Sequence, residues 1–595
     1  MRIQSTLLIA TAIVAAVPCF ARHNRVTVTT YGDAAGTAAR AAVTEMYFDG
    51  LGRQTLSVSR GAGGAGEDVW TRTDYDRRGN VWRQWSPTPV AASAPLTTPP
   101  SAQALESAAE AFYGREQFPY TRTEYELWAT NRPEYVYGPG ATWQSHPSRT
   151  EYGTNNSTGD RAVRILLAEG GRLKAVGMYR PGTLRRQVDT DADGTSVTVF
   201  TDRLGRRICE RRKAAHGTQT METRFVYDIR GDLRYVVSPE GFALIEAEEE
   251  GYAPADAVLL YTDRYDYDIW HRVVSRTPAG CEAVEYVYDR LGRVVMWRDA
   301  ALRAAGRWHV TKYDASMRRV VEGSAPCRQT RETLQSLYGD SLFVERFIAD
   351  YNKAESSLQY TENCGPAGFE AVQAWYYDDY TFATGHIPYA SAPAVEGLCG
   401  GADAPLRTSA GCLCTGMARK LDGDTWYTVT RYDDYARPAW TCNYDLYGQN
   451  TRRTTRIAHD FRGRVTARAE RLETIMECTP TEGHTAVWNY AYDLAGRQTS
   501  VSLAVDGGSA STVATYTYDG VGRLASKSFG TVGNGTSEEY VYDARSNVTG
   551  VSGCGFAQTA YFGTNPVEGG ASRYLSPCAA SERQYGAEGE GVLQT

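Results

Sequence analysis

The sequence predicts a mainly β fold, made of repeated β-hairpins that pair side by side into one curled sheet with few short helices. Three observations predict it. The motif Tyr-Asp-x-x-Gly-Arg, followed by an apolar residue, recurs along most of the chain. The residues before each Asp alternate with a period of two, which places every second side chain on one face of a strand. Tyr (40) and Gly (58) are abundant, a composition that favours strands and tight turns over helices.

The motif reads as a hairpin, residue by residue. Full or near-full copies are Phe48-Asp49-Gly50-Leu51-Gly52-Arg53, Tyr288-Asp289 with Gly292-Arg293, Tyr492-Asp493 with Gly496-Arg497, and Tyr518-Asp519 with Gly522-Arg523. Variants change a neighbour: Tyr75-Asp76 with Gly79-Asn80, Tyr227-Asp228 with Gly231-Asp232, Thr201-Asp202 with Gly205-Arg206, and His459-Asp460 with Gly463-Arg464. Degraded copies at Asp268, Asp314, Asp433 and Asp543 put His271, Met317, Ala436 and Ser546 where Gly stands elsewhere. Tyr pairs two apart, such as Tyr286 and Tyr288 or Tyr540 and Tyr542, share a strand face. Asp accepts a hydrogen bond from the backbone two residues on and so opens a turn. Gly three residues after Asp suits a left-handed position that closes a type I turn with a bulge. The Arg stem can lie across a Tyr ring. One hairpin is marginal in water, so the copies must pair into a sheet. From Asp268 to Asp314 and from Asp493 to Asp543, successive Asp residues are 21 to 26 apart, the spacing of a repeat architecture.

In chain order, residues 1–21 read as a secretory signal. Arg2 gives the positive charge, Leu7–Val17 an apolar core too short to span a bilayer, and Cys19-Phe20-Ala21 a small-x-small cleavage site. The rival is lipid anchoring through Cys19. Residues 22–240 form an N-terminal domain with the first repeats, 241–550 a repeat array, and 551–595 an irregular tail. "GAGGAGED" (Gly61–Asp68) lacks a phosphate-loop ending and reads as a flexible hairpin tip. Ser86–Pro100 has no periodicity and reads as a linker. Helices are predicted over Ser101–Tyr113 and Glu332–Tyr351, and a long insertion over 385–416. The mature chain has no run of apolar residues long enough for a membrane span.

Little in the sequence points to catalysis, and no cofactor is implied. Net charge is −7, with no basic run that would suit nucleic acid. Asp189-x-Asp191-x-Asp193-Gly194 matches the first half of an EF-hand loop, but Phe200 stands where the bidentate Glu belongs, so an acidic turn is the plainer reading beside a weak calcium candidate. The pairs Asp378-Asp379, Asp422 with Asp424, and Asp433-Asp434 read as turn formers rather than glycosidase carboxylates. The eight His are dispersed, and His271 and His459 occupy repeat positions. Cys412-Leu413-Cys414 has no partner pair at zinc spacing, and the 12 Cys read as small core residues with a disulfide or two after export. The many Tyr can form a stacking surface for sugars, or a sheet core.

The recurring Tyr-Asp-x-x-Gly-Arg resembles the signature of Rhs/YD-repeat proteins, whose relatives include teneurins and insecticidal toxin-complex components. The resemblance covers roughly residues 47–549. "YFDGLGRQTLSV" (Tyr47–Val58), "RTEYELWATNRPEYVYGPGATW" (Arg122–Trp143) and "DTDADGTSVTVFTDRLGRR" (Asp189–Arg207) are similar to an exported bacterial subgroup. It implies strands wound into a partial β-shell that, in toxin-bearing members, encloses a C-terminal toxic domain. The core segment with an Asp-Pro motif that precedes that domain has no counterpart here. The resulting expectation is a secreted, non-enzymatic scaffold that encloses or delivers a polypeptide cargo. The alternative is a cell-surface adhesion module binding glycan or protein. Export leaves it periplasmic, at the cell surface or extracellular.

Overall fold

The computed structural model describes residues 24–585 except 32–40, 93–100, 115–117, 129, 171, 215–216, 218, 247–250, 350–357, 384–405, 408–409, 422–423, 446–450, 477–478, 531–536, 554–555 and 562–579. The expected signal segment lies outside the described residues. Among these residues no helix is long and apolar enough to cross a membrane.

The mainly β prediction holds. Thirty-four strands form one sheet, from Asn24–Thr30 to Ala580–Tyr585. With few exceptions each strand pairs antiparallel with the one before and the one after it, so the sheet is a long meander. Every motif hairpin has a register shift at the residue before the Asp. Val287 faces Met296 while Tyr288 faces Val294, and the same shift falls between Ala491 and Tyr492 and between Thr517 and Tyr518. This is the bulge that a left-handed residue before the return strand imposes. The sheet crosses the expected domain boundary near 240 unbroken, because Leu233–Val237 pairs with Thr262–Tyr267.

A meander has two rims. The Asp-x-x-Gly turns lie on one of them, and the connections 60–67, 86–119 and 138–147 lie on the other. A second, three-stranded sheet, Arg164–Glu169, Arg172–Met178 and Gly251–Tyr252, packs with the helix Pro239–Glu246 around Leu166, Leu173, Phe242 and Ile245.

Four expectations need correction. The helix Ala102–Phe112 forms where predicted, with Ser101 Oγ accepting from Ala104 N, but within the expected linker Thr88–Val90 is a strand on Asp68–Trp70. That helix buries Leu105 and Ala109 against Tyr47, Val58, Trp70 and Trp85. The second helix stops at Arg331–Tyr338 instead of reaching Tyr351. Gly339 caps it, and the chain beyond runs extended so that Phe343 enters the core and Glu345 meets buried Lys312 at 3.1 Å. Of the expected insertion, 410–416 belongs to the strand Ala410–Leu421, because it pairs with Glu370–Asp378. The irregular tail holds two strands, Phe556–Tyr561 and Ala580–Tyr585. A paired edge asks only for backbone groups, so a polar sequence without a clear period can occupy it.

Short helices at Ala255–Tyr261 and Ala300–Ala304 went unpredicted. They are below the length at which periodicity registers.

Candidate functional site: the hairpin ladder and the seam

The turn at Tyr288–Arg293 shows how the motif works. Gly292 N donates to Asp289 O at 2.9 Å, and Asp289 N donates to Arg293 O at 3.0 Å. Asp289 Oδ1 accepts from the amides of Leu291 and Arg293, each at 3.0 Å. Its Oδ2 accepts from Arg293 Nε at 2.8 Å and Nη2 at 2.6 Å. Gly292 has φ +77°, the left-handed conformation the motif requires. The same bonds recur at Asp49 with Arg53, Asp493 with Arg497, and Asp519 with Arg523. The Arg53 amide is the largest of the effects that hold the Asp49 carboxyl below the usual carboxylate range. At Asp268 burial pushes the carboxyl up, but the Arg272 amide and guanidinium outweigh it and the net shift is down.

The Arg then reaches out of its own hairpin. Arg53 lies over Tyr75 at 4.5 Å, Arg293 over Tyr313 at 4.2 Å, Arg497 over Tyr518 at 4.6 Å and Arg523 over Tyr542 at 4.6 Å. In each case the ring belongs to the next motif. That same Tyr donates its hydroxyl to the residue just after the Arg: Tyr75 to Gln54 O at 2.9 Å, Tyr313 to Val294 O at 2.9 Å, Tyr518 to Gln498 O at 2.7 Å. Tyr288 and Tyr492 do likewise, toward Val273 O at 2.6 Å and Val465 O at 2.8 Å. The sequence-predicted residues therefore form one ladder along a rim, each rung tying a turn to its neighbour.

Degraded copies keep the backbone. His271, Met317, Ala436 and Ser546 sit at φ between 61° and 67°, so the turn survives the loss of Gly. One further copy escaped sequence reading. Glu126 replaces Asp in a longer turn, bonds Arg132 Nε at 2.6 Å, and Arg132 lies over Tyr152 at 3.7 Å. The calcium candidate is an acidic turn on the opposite rim, between Arg185–Thr190 and Ser196–Thr201. Asp191 N donates to Thr195 O and Gly194 N to Asp191 O, each at 3.0 Å, the same turn bonding as the motif. Asp189 points elsewhere, accepting from Thr150 Oγ1 at 2.9 Å. The structure does not bring the three carboxylates into one site, and among the described residues no group of three or more His, Cys, Asp or Glu is placed to hold a metal ion.

The acidic pairs are spent on local structure. Asp378 binds Arg318 through both oxygens at 2.8 Å, Asp379 caps Thr381, and Asp433 is a motif Asp bonded to Arg437. Asp422 lies outside the described residues. Seven described cysteines are free thiols, so the expected disulfides do not form among them. Burial pushes the Cys209 thiol up to about 12 and Cys442 up to about 11, which keeps both protonated and inert.

The glycine-rich stretch is the main surprise. Gly64 N donates to Asp519 O at 2.9 Å, and a Cβ on Gly64 would lie 1.7 Å from Tyr518 O. Arg497 Nη2 donates to Gly63 O at 3.2 Å. "GAGGAGED" is therefore no flexible tip but a backbone wedge seated on a motif turn more than four hundred residues away. Beside it, Pro89 and Phe112 cover Gly520. Further along, Arg545 lies over Trp143 at 4.0 Å, and Arg462 Nη2 donates to Thr30 O at 2.6 Å. The far rim of the first strands thus stacks on the turn rim of the last repeats, and the sheet curls until it meets itself. A cavity of about 510 Å³ lies in this seam, lined by Trp85, Trp143, His146, Arg545 and Ser546 among others.

Comparisons with known proteins agree with this architecture. Residues 22–156 match a family described as a domain of unknown function (DUF6443). No curated protein matches by sequence. Among solved structures, a crystal structure of TcdB2-TccC3-Cdc42 superposes with a TM-score of 0.58 at 13% identity, over 98% of this chain and 24% of that one. A crystal structure of TcdB2-TccC3 gives 0.57 at 13% identity, over 95% and 23%. The Photorhabdus luminescens Tc holotoxin pore carrying a TccC3 mutation gives 0.53 at 13% identity, over 95% and 23%. The chain spans about a quarter of the length of the structures it matches. The likeness is one of fold: an Rhs-like β architecture of the Tc toxin kind.

Proposed function

We propose that this chain is a non-enzymatic YD-repeat scaffold, exported from the cell, that forms a wall segment of a β-shell enclosing or delivering a polypeptide. The observation that carries this reading is the seam. A sheet whose first strands seat on its last repeats bounds a space, and a side chain at Gly63 or Gly64 would clash with the Tyr518–Gly520 backbone at that contact. The fold likeness to TcdB2-TccC3 supports the same reading. Stacking of sugars on the motif Tyr rings is less favoured, because those rings already carry an Arg on one face and spend their hydroxyls on the preceding hairpin.

The test fuses a permanently unfolded reporter peptide after Thr595 and digests the product with a broad protease. The reporter should survive in the parent chain and be cleaved when Gly64→Val wedges the seam apart. Equal cleavage in both would refute enclosure.

A further inference from the structure

The turn rim carries a second pattern that the ladder does not use. The two residues between Asp and Gly face away from the sheet, and a turn there asks only for small or polar residues. From Asp49 to Asp289 many are large and apolar instead: Leu51, Leu127, Leu204, Ile229, Trp270 and Leu291. Ile229 is fully exposed, Leu127 is 88% exposed and Trp270 67%. Beside them stand exposed Arg77, Arg203, Arg230 and Arg290. On this rim, from Asp49 to Asp314, no acidic residue occupies either position, although the chain as a whole is −7. Arg230 pairs with Asp232 at 3.1 Å, while Arg77, Arg203 and Arg290 form no ion pair among the described residues. Consecutive tips touch: Arg78 Nη1 donates to Glu126 O at 3.1 Å, and Arg230 Nη2 to Asp268 O at 2.8 Å. The pattern is therefore a row of tips, apolar and basic by turns, that adjoin where Arg78 meets Glu126 and where Arg230 meets Asp268.

The molecule itself shows what kind of surface does not fit this ridge. Where protein packs most closely on the rim, at the Asp519 and Asp543 turns of the seam, the residue directly after the Asp is small. A Cβ on Gly520 would lie 2.9 Å from Pro89, and Ala544 borders the cavity. Stacking one β wall on another demands that close approach. At that position this rim carries Arg203, Ile229, Ile269 and Arg290, which obstruct it. A fluid interface that admits side chains one by one does not demand it, and Trp with Leu beside Arg is the composition such an interface selects. The unpaired cations set its charge.

We propose that this ridge binds an anionic phospholipid bilayer, with Leu204, Ile229, Trp270 and Leu291 entering the boundary between headgroups and acyl chains while Arg203 and Arg290 meet lipid phosphates. The test is co-sedimentation of the mature chain with large vesicles of phosphatidylcholine, with and without phosphatidylglycerol. Binding should require phosphatidylglycerol. The quadruple variant L204S/I229S/W270S/L291S should bind about tenfold more weakly or less, and R203Q/R290Q should flatten the salt dependence. All six positions are exposed, so thermal melting of both variants should match the parent. Brominated lipid should quench the parent more than W270F. Absence of sedimentation with anionic vesicles, or undiminished binding by the quadruple variant, overturns the proposal. So does a parent dimer that the quadruple variant dissociates, since the ridge would then be a protein contact. The reporter-protection experiment is independent of all these outcomes.

Discussion

A single carboxylate and a single left-handed residue decide each turn, and their relative weight depends on burial. Sequence alone ranks Gly292→Val as more damaging than Arg293→Ala, since the valine must adopt positive φ. At the exposed first copy that ranking should hold: Gly52→Val costs about 1–2 kcal/mol through backbone strain, and Arg53→Ala about 1 kcal/mol or less for a partly solvated pair. At Asp289 the carboxylate side chain is 0% exposed. Removing Arg293 leaves a buried charge short of its partner, at about 3 kcal/mol or more, so there the order reverses. Denaturant melts of the four variants check both rankings. In the degraded copies Met317→Gly and Ala436→Gly should each stabilise by about 0.5 kcal/mol, because relief of left-handed strain exceeds the entropy that glycine adds to the unfolded chain. A loss of stability in both would contradict the strain argument. Asp191 gives a pH signature of opposite sign to the motif carboxylates. Burial, then Asp193, pushes its carboxyl up to about 6, well above the ordinary range of an Asp. The folded chain holds that proton more tightly, so stability falls as pH rises from about 4 through 6 and the penalty persists above. Asp193→Asn should therefore raise the Tm at pH 7 and change little below pH 4. Equal shifts at both pH values would show that Asp193 does not act on Asp191.

At the scale of the element, hairpins gain from one another through the ladder. Arg464 lies over Tyr492 at 4.8 Å, while the Tyr492 hydroxyl bonds Val465 O at 2.8 Å. Tyr492→Phe removes only the hydroxyl and should cost about 1 kcal/mol. A double-mutant cycle of Arg464→Lys with Tyr492→Leu should report a coupling of about 0.5–1 kcal/mol. Coupling near zero would mean that the Arg and the next ring are neighbours without being partners. The helix Arg331–Tyr338 belongs to the same scale. Gln335 bonds both the amide and the carbonyl of Tyr288 at 2.9 Å, which satisfies backbone groups next to a motif turn.

For the molecule as a whole, the seam is the feature that brings the two ends of the ribbon together. Gly64→Val must displace the Tyr518 carbonyl, an overpacking cost of about 1–3 kcal/mol concentrated at one contact. The expected result is a larger radius of gyration in small-angle scattering and new protease cuts near residues 60–67 and 519–522, with the hairpins themselves intact by circular dichroism. An unchanged radius would mean that the neighbouring contacts of Phe112 and Arg545 hold the seam without the wedge.

Sequence by itself determined the local chemistry. Alternating Tyr, a turn-opening Asp and a left-handed Gly act within six residues, so the hairpin and its bulge could be read from composition and spacing alone. The helix over Ser101–Tyr113 was legible in the same local way. Only the tertiary structure decided which ring each Arg covers, because the next Tyr is some twenty residues away and its distance depends on strand register. Nothing local distinguishes a loose glycine tip from a backbone wedge: the absent Cβ acquires meaning only when Tyr518 arrives against it. The same holds for Glu345, whose extended chain ends the predicted helix because Lys312 waits for it in the core. Turn geometry was written in neighbours along the chain, while closure was written in neighbours across it.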